Sequence, residues 1–302
     1  DWEGIVVAST ARAASFSGLQ LSYGGSQTAN LLLKKEGVTI QDSLIAHSYS
    51  DGLYIDDASV IVRRNIFHRN VDNGLYLRNA ASVTIDGNVF TQNGRSIEHR
   101  ATGNTVTSNN VAIGNTEDGM LFCAPVSTTQ TWTNDLMRDV ACTIKVSGAT
   151  LTLDPGLVLR FTDQVGMDVS SKLQAEGVMF TSISDSGDYG LWRGLKFETN
   201  STGGHIRHSR FLYGGYGQQG TIDSQSQGAL DVSFSIFRRI EKIAVSARKQ
   251  SPVTVHGNLF RDLGGNGGGA VRASDRGTNP VVQYNRIVSA DTGVRSDADA
   301  SP

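Results

Sequence analysis

The sequence predicts an all-β solenoid whose parallel strands stack in turns of 22–23 residues, and three observations lead there. The first is a four-fold echo. Val38-Thr39-Ile40 is followed by Ser43, Ser48 and Gly52-Leu53-Tyr54-Ile55, and Val60-Ile61-Val62 by Asn65, Asn70 and Gly74-Leu75-Tyr76-Leu77. Val83-Thr84-Ile85 then precedes Asn88 and Asn93, and Thr105-Val106-Thr107 precedes Asn110, Asn115 and Gly119. Positions 43, 65, 88 and 110 advance by 22, 23 and 22 residues, as do 48, 70, 93 and 115. A repeat this short cannot close a core alone, so neighbours must stack to bury one. The second observation is a period of two: Leu53, Ile55, Val60 and Val62 alternate with Tyr54, Asp56 and Ile61, as in strands with one buried face. The third is composition, with 34 glycines and only 5 prolines among 302 residues, which suits many short strands joined by tight turns.

Each recurring element has a physical role in such a stack. Asn65, Asn88 and Asn110 fall at one bend of successive turns, where each side-chain amide can satisfy the next in a ladder. Gly52, Gly74 and Gly119 fit turns that need positive φ or a close approach of backbone. Later turns follow the same plan, with Val253-Thr254-Val255 before Asn258-Leu259-Phe260 and Val281-Val282 before Asn285.

A longer duplication overlies the turns. Trp2-Glu3-Gly4-Ile5 matches Trp192-Arg193-Gly194-Leu195, and Tyr23-Gly24-Gly25 matches Tyr213-Gly214-Gly215, both at an offset of 190. The expected organisation is a first module over residues 1–135, incomplete at its start, continuous with a second over 136–302, incomplete at its end. The chain is then a piece of a tandem array, and Arg295-Ser296-Asp297-Ala298-Asp299-Ala300-Ser301-Pro302 a polar linker or cut end.

Net charge is −2 with both signs scattered. No basic stripe is present to neutralise phosphates, so nucleic acid is not an expected partner. No apolar run approaches the roughly 20 residues of a membrane-spanning helix. Cys123 and Cys142 both fall where the pattern changes. They are either two buried thiols or a disulfide closing a loop of roughly 18 residues, worth about 3 kcal/mol in the chain-entropy model and requiring an oxidising compartment.

The turns from Val38 to Phe122 resemble right-handed parallel β-helix repeats of the pectin-lyase-like class. The stretch Ala149–Phe161 leading to Trp192-Arg193-Gly194-Leu195 is similar to a segment of bacterial secreted and cell-surface β-helix proteins. The resemblance implies a right-handed parallel β-helix and an extracellular or cell-surface location. It leaves activity open, because this fold carries lyases, hydrolases, adhesins and spacers.

Carbohydrate chemistry on such a fold needs converging side chains: a Lys or Arg base beside calcium-binding acids for a lyase, or two or three carboxylates for a hydrolase. Asp56-Asp57 is the best acid pair, yet Arg78-Asn79 stands opposite one turn on, which reads as a surface ion pair worth under about 1 kcal/mol. Asp86 is flanked by Arg63 and Ser108 on the neighbouring turns. His205 and His208, three apart on a strand, point to opposite faces and make a poor metal pair. Asp185 and Asp188 are candidates for a loop calcium or form a solvated acidic turn, and no other cofactor is expected. The run Gly264–Gly269 lacks the Asp or Lys of a calcium or phosphate loop and reads as a long turn.

One outward column stands apart. Tyr54 and Tyr76 occupy the same site on successive turns, with His99 and Leu121 following, and Asp56 and Arg78 flank the rings. Such a strip suits stacking on sugar faces. The expected function is a non-catalytic secreted or cell-surface module, an adhesin, stalk or fibre component that takes a polysaccharide or surface glycan and sits beside copies of itself. The alternatives are a polysaccharide lyase or glycoside hydrolase on the same fold, and a self-assembling extracellular filament subunit.

Overall fold

The computed structural model describes residues 2–12, 14–184, 186–217, 219–264 and 267–297, and within them the chain is a right-handed parallel β-solenoid of about 12 turns, all strand and no helix. Among the described residues no helix is long and apolar enough to cross a membrane. The chain divides into two units, Asp1–Ala124 with Asp135–Arg138, and Pro125–Asn134 with Asp139–Pro302.

In the first unit every turn contributes one strand to each of three parallel sheets. One holds Ile5–Val7, Ala29–Leu33, Asp51–Asp56, Asn73–Arg78, Arg95–Arg100 and Glu117–Phe122; the second runs from Ser15–Ser17 to Asn104–Ser108; the third from Gln20–Ser22 to Val111–Ile113. Like residues pair one turn on: Leu53 with Leu75, Val60 with Val83, Phe67 with Phe90. The inward set Leu53, Ile55, Val62, Phe67, Ile85 and Phe90 is fully buried, and the Phe67 and Phe90 rings stack at 4.8 Å.

Two amide ladders run along this unit. In the first, Asn65 Oδ1 accepts from the Ser43 N–H (3.1 Å), Asn88 Oδ1 from the Asn65 N–H and Nδ2 (both 3.0 Å), and Asn110 Oδ1 from the Asn88 N–H and Nδ2 (both 3.0 Å). Each Nδ2 also donates to a carbonyl behind it, on Ile40, Val62 and Ile85. Ser48, Asn70, Asn93 and Asn115 repeat the scheme at the next bend. An amide both accepts and donates, so a ladder of amides needs a pure acceptor at its far end. Carboxylates supply it: Asp135 takes the Asn110 Nδ2 at 2.7 Å, and Asp118 takes the Asn115 N–H and Nδ2, both at 2.8 Å. Burial pushes Asp118 up, but hydrogen bonds from Asn115 and the Gly114 N–H outweigh it and hold the group below its ordinary range.

The residue before each ladder member is left-handed. Asp42, Arg64 and Asn109 have φ of 52, 52 and 55°, and His47, Arg69 and Gln92 have 51, 52 and 57°. Non-glycine residues in this region cost about 1 kcal/mol each or more, which the buried amide bonds offset.

The second unit uses the same plan with uneven turns. Leu151, Leu173, Gly204 and Leu230 are consecutive partners, at steps of 22, 31 and 26 residues. The long step contains the insertion 183–193, between Met179–Ser182 and Gly194–Phe197. Phe180, Phe211, Phe237 and Phe260 form an internal stack with centroids 4.6, 4.7 and 5.0 Å apart. A mixed ladder passes from Ser209 to the Ser235 hydroxyl and on through Asn258 and Asn285.

The 190-residue duplication has a structural basis inside each unit. Trp2 Nε1 donates to the Ser22 carbonyl at 3.0 Å, and Trp192 Nε1 to the Leu212 carbonyl at 2.7 Å, acceptors that are themselves 190 apart. Tyr23 and Tyr213 both have φ of 62°, and Gly4 and Gly194 have 114 and 118°. A Cβ on Gly24 would lie 2.7 Å from the Trp2 ring, and one on Gly214 would lie 3.2 Å from the Trp192 ring. The repeated residues form a clip in which an indole lies against glycine backbone.

Arg295 and Ser296, expected in a polar linker, belong instead to the strand Thr292–Ser296, where Arg295 pairs in register with Arg272; residues 298–302 lie outside the described residues. Neither cysteine is a free thiol, and both are disulfide-bonded.

The ladder's polarity is testable. Asn88→Ala strips the acceptor from two buried Asn65 donors and is expected to lower the unfolding free energy by about 3 kcal/mol. Asp118→Asn keeps an oxygen for Asn115 but sets an amide donor against the Gly114 N–H, and is expected to lower it by about 1 kcal/mol. Urea denaturation measures both, and equal losses would refute the polarity.

Candidate functional site

The candidate site lies on the outer face of the first unit's sheet that runs from Ile5–Val7 to Glu117–Phe122. The register gives three columns there: Asp51, Asn73, Arg95 and Glu117; Tyr54, Tyr76, Glu98 and Leu121; and Asp56, Arg78 and Arg100. Strict alternation would put Asp51, Asn73 and Arg95 inside, with Leu53, Leu75 and Ile97. The intervening residue prevents this. Gly74 faces the core, since a Cβ there would lie 2.7 Å from Phe90 Cδ1 and 3.1 Å from Phe67 Cβ. At the matching place Ser96 is fully buried and donates to the Gly119 carbonyl at 2.6 Å. Two successive inward residues reverse the alternation and bring the first column outward beside Tyr76 and Glu98. Gly52 and Gly74 thus serve close approach within strands, not positive φ.

The result is a cavity of about 530 Å³ lined by Asp51, Asp72, Asn73, Tyr76, Arg95, Glu98 and Glu117, with Val71, Gly94 and Thr116. Asn73 is its hub. Its N–H and Nδ2 donate to Asp51 Oδ1 at 3.1 and 2.8 Å, and the same Nδ2 reaches Glu98 Oε2 at 3.5 Å. Arg95 bridges Glu98 at 3.1 Å and Glu117 at 2.8 Å, and Arg100 holds the other Glu98 oxygen at 2.6 Å. Two carboxylates therefore share one amide but differ in surroundings. Glu98 has two guanidinium partners, whereas burial pushes Asp51 up to about 6 against the lowering by Asn73, with Asp72 and Glu98 adding to the rise.

The aromatic column differs from expectation. The partner of Tyr76 on the following turn is Glu98, and His99 pairs with Leu77. His99 is buried, stacks on Phe122 at 4.5 Å and bonds Thr105 Oγ1 at 2.8 Å. Burial, and then the Arg138 charge, push it down to about 3. The extra residue of the 23-residue step sits at the corner between Leu77 and Val83, and one residue is lost again between Asn93 and Ile97. The sheet itself therefore steps by 22. Nor do the tyrosines form a flat strip. Their rings face each other at 4.8 Å and 34°, and the Arg78 guanidinium lies 5.4 Å above the Tyr54 centroid. Tyr54 is buried with Ala29 and Leu32, with Tyr76 packed against them. Burial, then the Asp56 charge, push the Tyr54 hydroxyl up to about 12.

Asp56 and Arg78 form a bidentate pair at 2.9 and 2.8 Å, with Lys34 at 3.9 Å, and the Asp56 side chain is only 11% exposed. This ion pair fixes Arg78 over Tyr54 instead of offering free groups. Asp86 accepts from Ser108 and Asn109, which hold it below its ordinary range.

The remaining candidates stand apart from the cavity. His208 bonds Glu176 at 2.6 Å, and His205 lies on the strand Gly203–Arg207. The Asp188 N–H donates to Ser186; Asp185, Gly265 and Asn266 lie outside the described residues. Among the described residues no three His, Cys, Asp or Glu side chains are grouped to hold a metal ion. The signal for the cavity was present as polar residues 51, 73, 95 and 117 at 22-residue spacing, each just ahead of a glycine, serine or bulge.

Residues 3–150 match the family model described as right handed beta helix region. They belong to the right-handed β-helix family. The β-helix match includes the whole cavity and both asparagine ladders of the first unit. No curated protein matches the chain.

Asp51 gives a pH prediction. The folded chain holds its proton more tightly than the unfolded chain, whose value is near 3.8. Stability is therefore untouched by Asp51 at pH below about 4, falls between about 4 and 6, and is lowered by about 3 kcal/mol above that range. Asp51→Asn keeps an acceptor for Asn73 and is expected to raise stability at pH 7 by up to about 3 kcal/mol. It should change little at pH 4. Denaturation curves at both pH values check this; an equal effect at each would contradict it.

Proposed function

We propose that the first unit is a saccharide-binding module of an extracellular or cell-surface β-helix, acting as scaffold and receptor and not as catalyst, with its ligand in the Asp51–Asn73–Glu98 cavity. The observation that carries this reading is Asp51. Its carboxyl is retained out of water, where burial, and less strongly Asp72 and Glu98, push it up to about 6. Costs of this kind are kept at sites that work on a ligand. The surrounding groups suit polyhydroxylated rings: carboxylates and an amide that accept and donate at once, a guanidinium, and the accessible part of Tyr76 as an apolar contact.

One observation favours catalysis as a second reading. Asp51 and Glu98 are carboxyl groups that share the Asn73 amide in one cavity, and burial pushes Asp51 up to about 6, as a general acid in glycoside hydrolysis requires. Against a lyase reading, Arg95 is engaged by both Glu98 and Glu117 and is a poor base.

A glycan array with titration calorimetry, run beside a reducing-end and unsaturated-product assay, tests both. The expected result is binding without turnover, weakened about tenfold or more by Glu98→Gln and by Tyr76→Ala. Release of new chain ends that Asp51→Asn abolishes would replace the binding reading with hydrolysis. Binding unaffected by either cavity variant would refute the site.

A further inference from the structure

We propose that the second unit carries a saccharide site of its own, for a neutral oligosaccharide, built on Phe234 with Glu176, Arg207, His208, Asp231 and His256. The ligand class rests on the reading of the first unit, but the site is carried by separate observations. Phe234 is half exposed and has a left-handed backbone, with φ of 50°. The left-handed backbone belongs to the corner, as it does ahead of the other ladder members, but the exposure is unfavourable for phenylalanine, and the unit's core phenylalanines at 180, 211, 237 and 260 are all buried. A half-exposed aromatic ring at a fixed corner offers an apolar contact to a ligand.

The neighbouring turns are shaped around the ring. On one side His208 stacks against it at 5.4 Å and 11°. On the other, the matching corner is Gly257, where a Cβ would lie 2.8 Å from Phe234 Cδ1 and Cε1, so the ring lies over that turn because no side chain is there. His256 meets the ring edge-on at 4.9 Å. Phe234 is thus fixed from both sides with its outer part open to solvent.

A cavity of about 370 Å³ adjoins it, lined also by Glu176, Arg207, Asp231, Ser233 and Thr254. Its polar groups are already oriented: Arg207 Nε donates to Asp231 at 2.7 Å, and His208 Nδ1 bonds Glu176 at 2.6 Å. Arg207 offsets Asp231 and an imidazole covers Glu176, so of the lining groups one carboxylate is without a guanidinium partner. A rigid apolar ring beside paired donors and acceptors fits a neutral sugar, whose ring carbons take the apolar contact and whose hydroxyls take the rest.

The test uses the whole chain and titration calorimetry with cellohexaose, xylohexaose and mannohexaose, and with trigalacturonate as the acidic comparison. Phe234→Gly and Glu98→Gln are measured in parallel, each with its melting temperature. The expected result is two equivalents of a neutral hexasaccharide per chain. Phe234→Gly should weaken one equivalent about tenfold or more without lowering the melting temperature, because glycine is the residue this corner favours. Glu98→Gln should affect the other. Binding lost in Phe234→Gly and intact in Glu98→Gln would uphold the second-unit site and refute the first. Binding lost only in Glu98→Gln would overturn the second-unit site and leave the first standing. Binding of trigalacturonate alone, or of no saccharide, would overturn the inference, as would a Phe234→Gly chain that melts much earlier yet binds normally.

Discussion

An asparagine amide at a bend accepts from the turn before it and donates towards the turn after it, and the rest of the first unit depends on that asymmetry. Strand pairing alone excludes a slip of one residue, which would turn the apolar face outward, but tolerates a slip of two, which keeps it inside. A buried amide does not slip, since a shift of either size would strand several polar groups away from water. Asn65, Asn88 and Asn110 at one bend, with Asn70, Asn93 and Asn115 at the next, tie the turns together at two corners. The left-handed residue ahead of each lets its side chain enter the stack. Asp135 and Asp118 then close the chains of donors with groups that only accept.

Fixed register is what turns a repetitive sheet into a specific surface. Once the corners are set, Asp51, Asn73, Arg95 and Glu117 must line up, and so must Tyr54, Tyr76 and Glu98. Whether the two columns share a face is decided by what lies between them. Glycine at 52 and 74 and serine at 96 turn inward where the backbone of the next turn comes too close for a larger side chain. The cavity is the outcome of that local reversal, and its acid group is shielded because the polar column stands against the tyrosine column.

The parts of this arrangement legible in the sequence are those that recur with constant spacing. The asparagines at 65, 88 and 110 announced a ladder because each does the same job as the last. The carboxylates that end the ladders were not legible: Asp118 enters through a bulge opposite Ser96, and Asp135 comes from a distant segment, so neither repeats. His99 was assigned to the tyrosine column by a 23-residue step that applies to the asparagine corners but not to this sheet. The Tyr54–Tyr76 pairing was legible, but the rings' orientation was not, because it depends on Arg78 and on Ala29 and Leu32 beneath them. Asp51 and its column were hidden because alternation is interrupted at the confined residue that follows each of them, Gly52, Gly74 and Ser96. Phe234 was hidden for a related reason, since a left-handed corner that glycine occupies one turn later gives no sign that it presents an aromatic ring.

Register, set by the ladders, builds a cavity that keeps the Asp51 carboxyl out of water. Carbon-detected NMR titration of the Asp51 carboxyl in the intact chain addresses this most directly. The expected midpoint is about 6, displaced when a bound saccharide fills the cavity. A midpoint near the 3.8 of a solvated aspartate, indifferent to every saccharide, would contradict it.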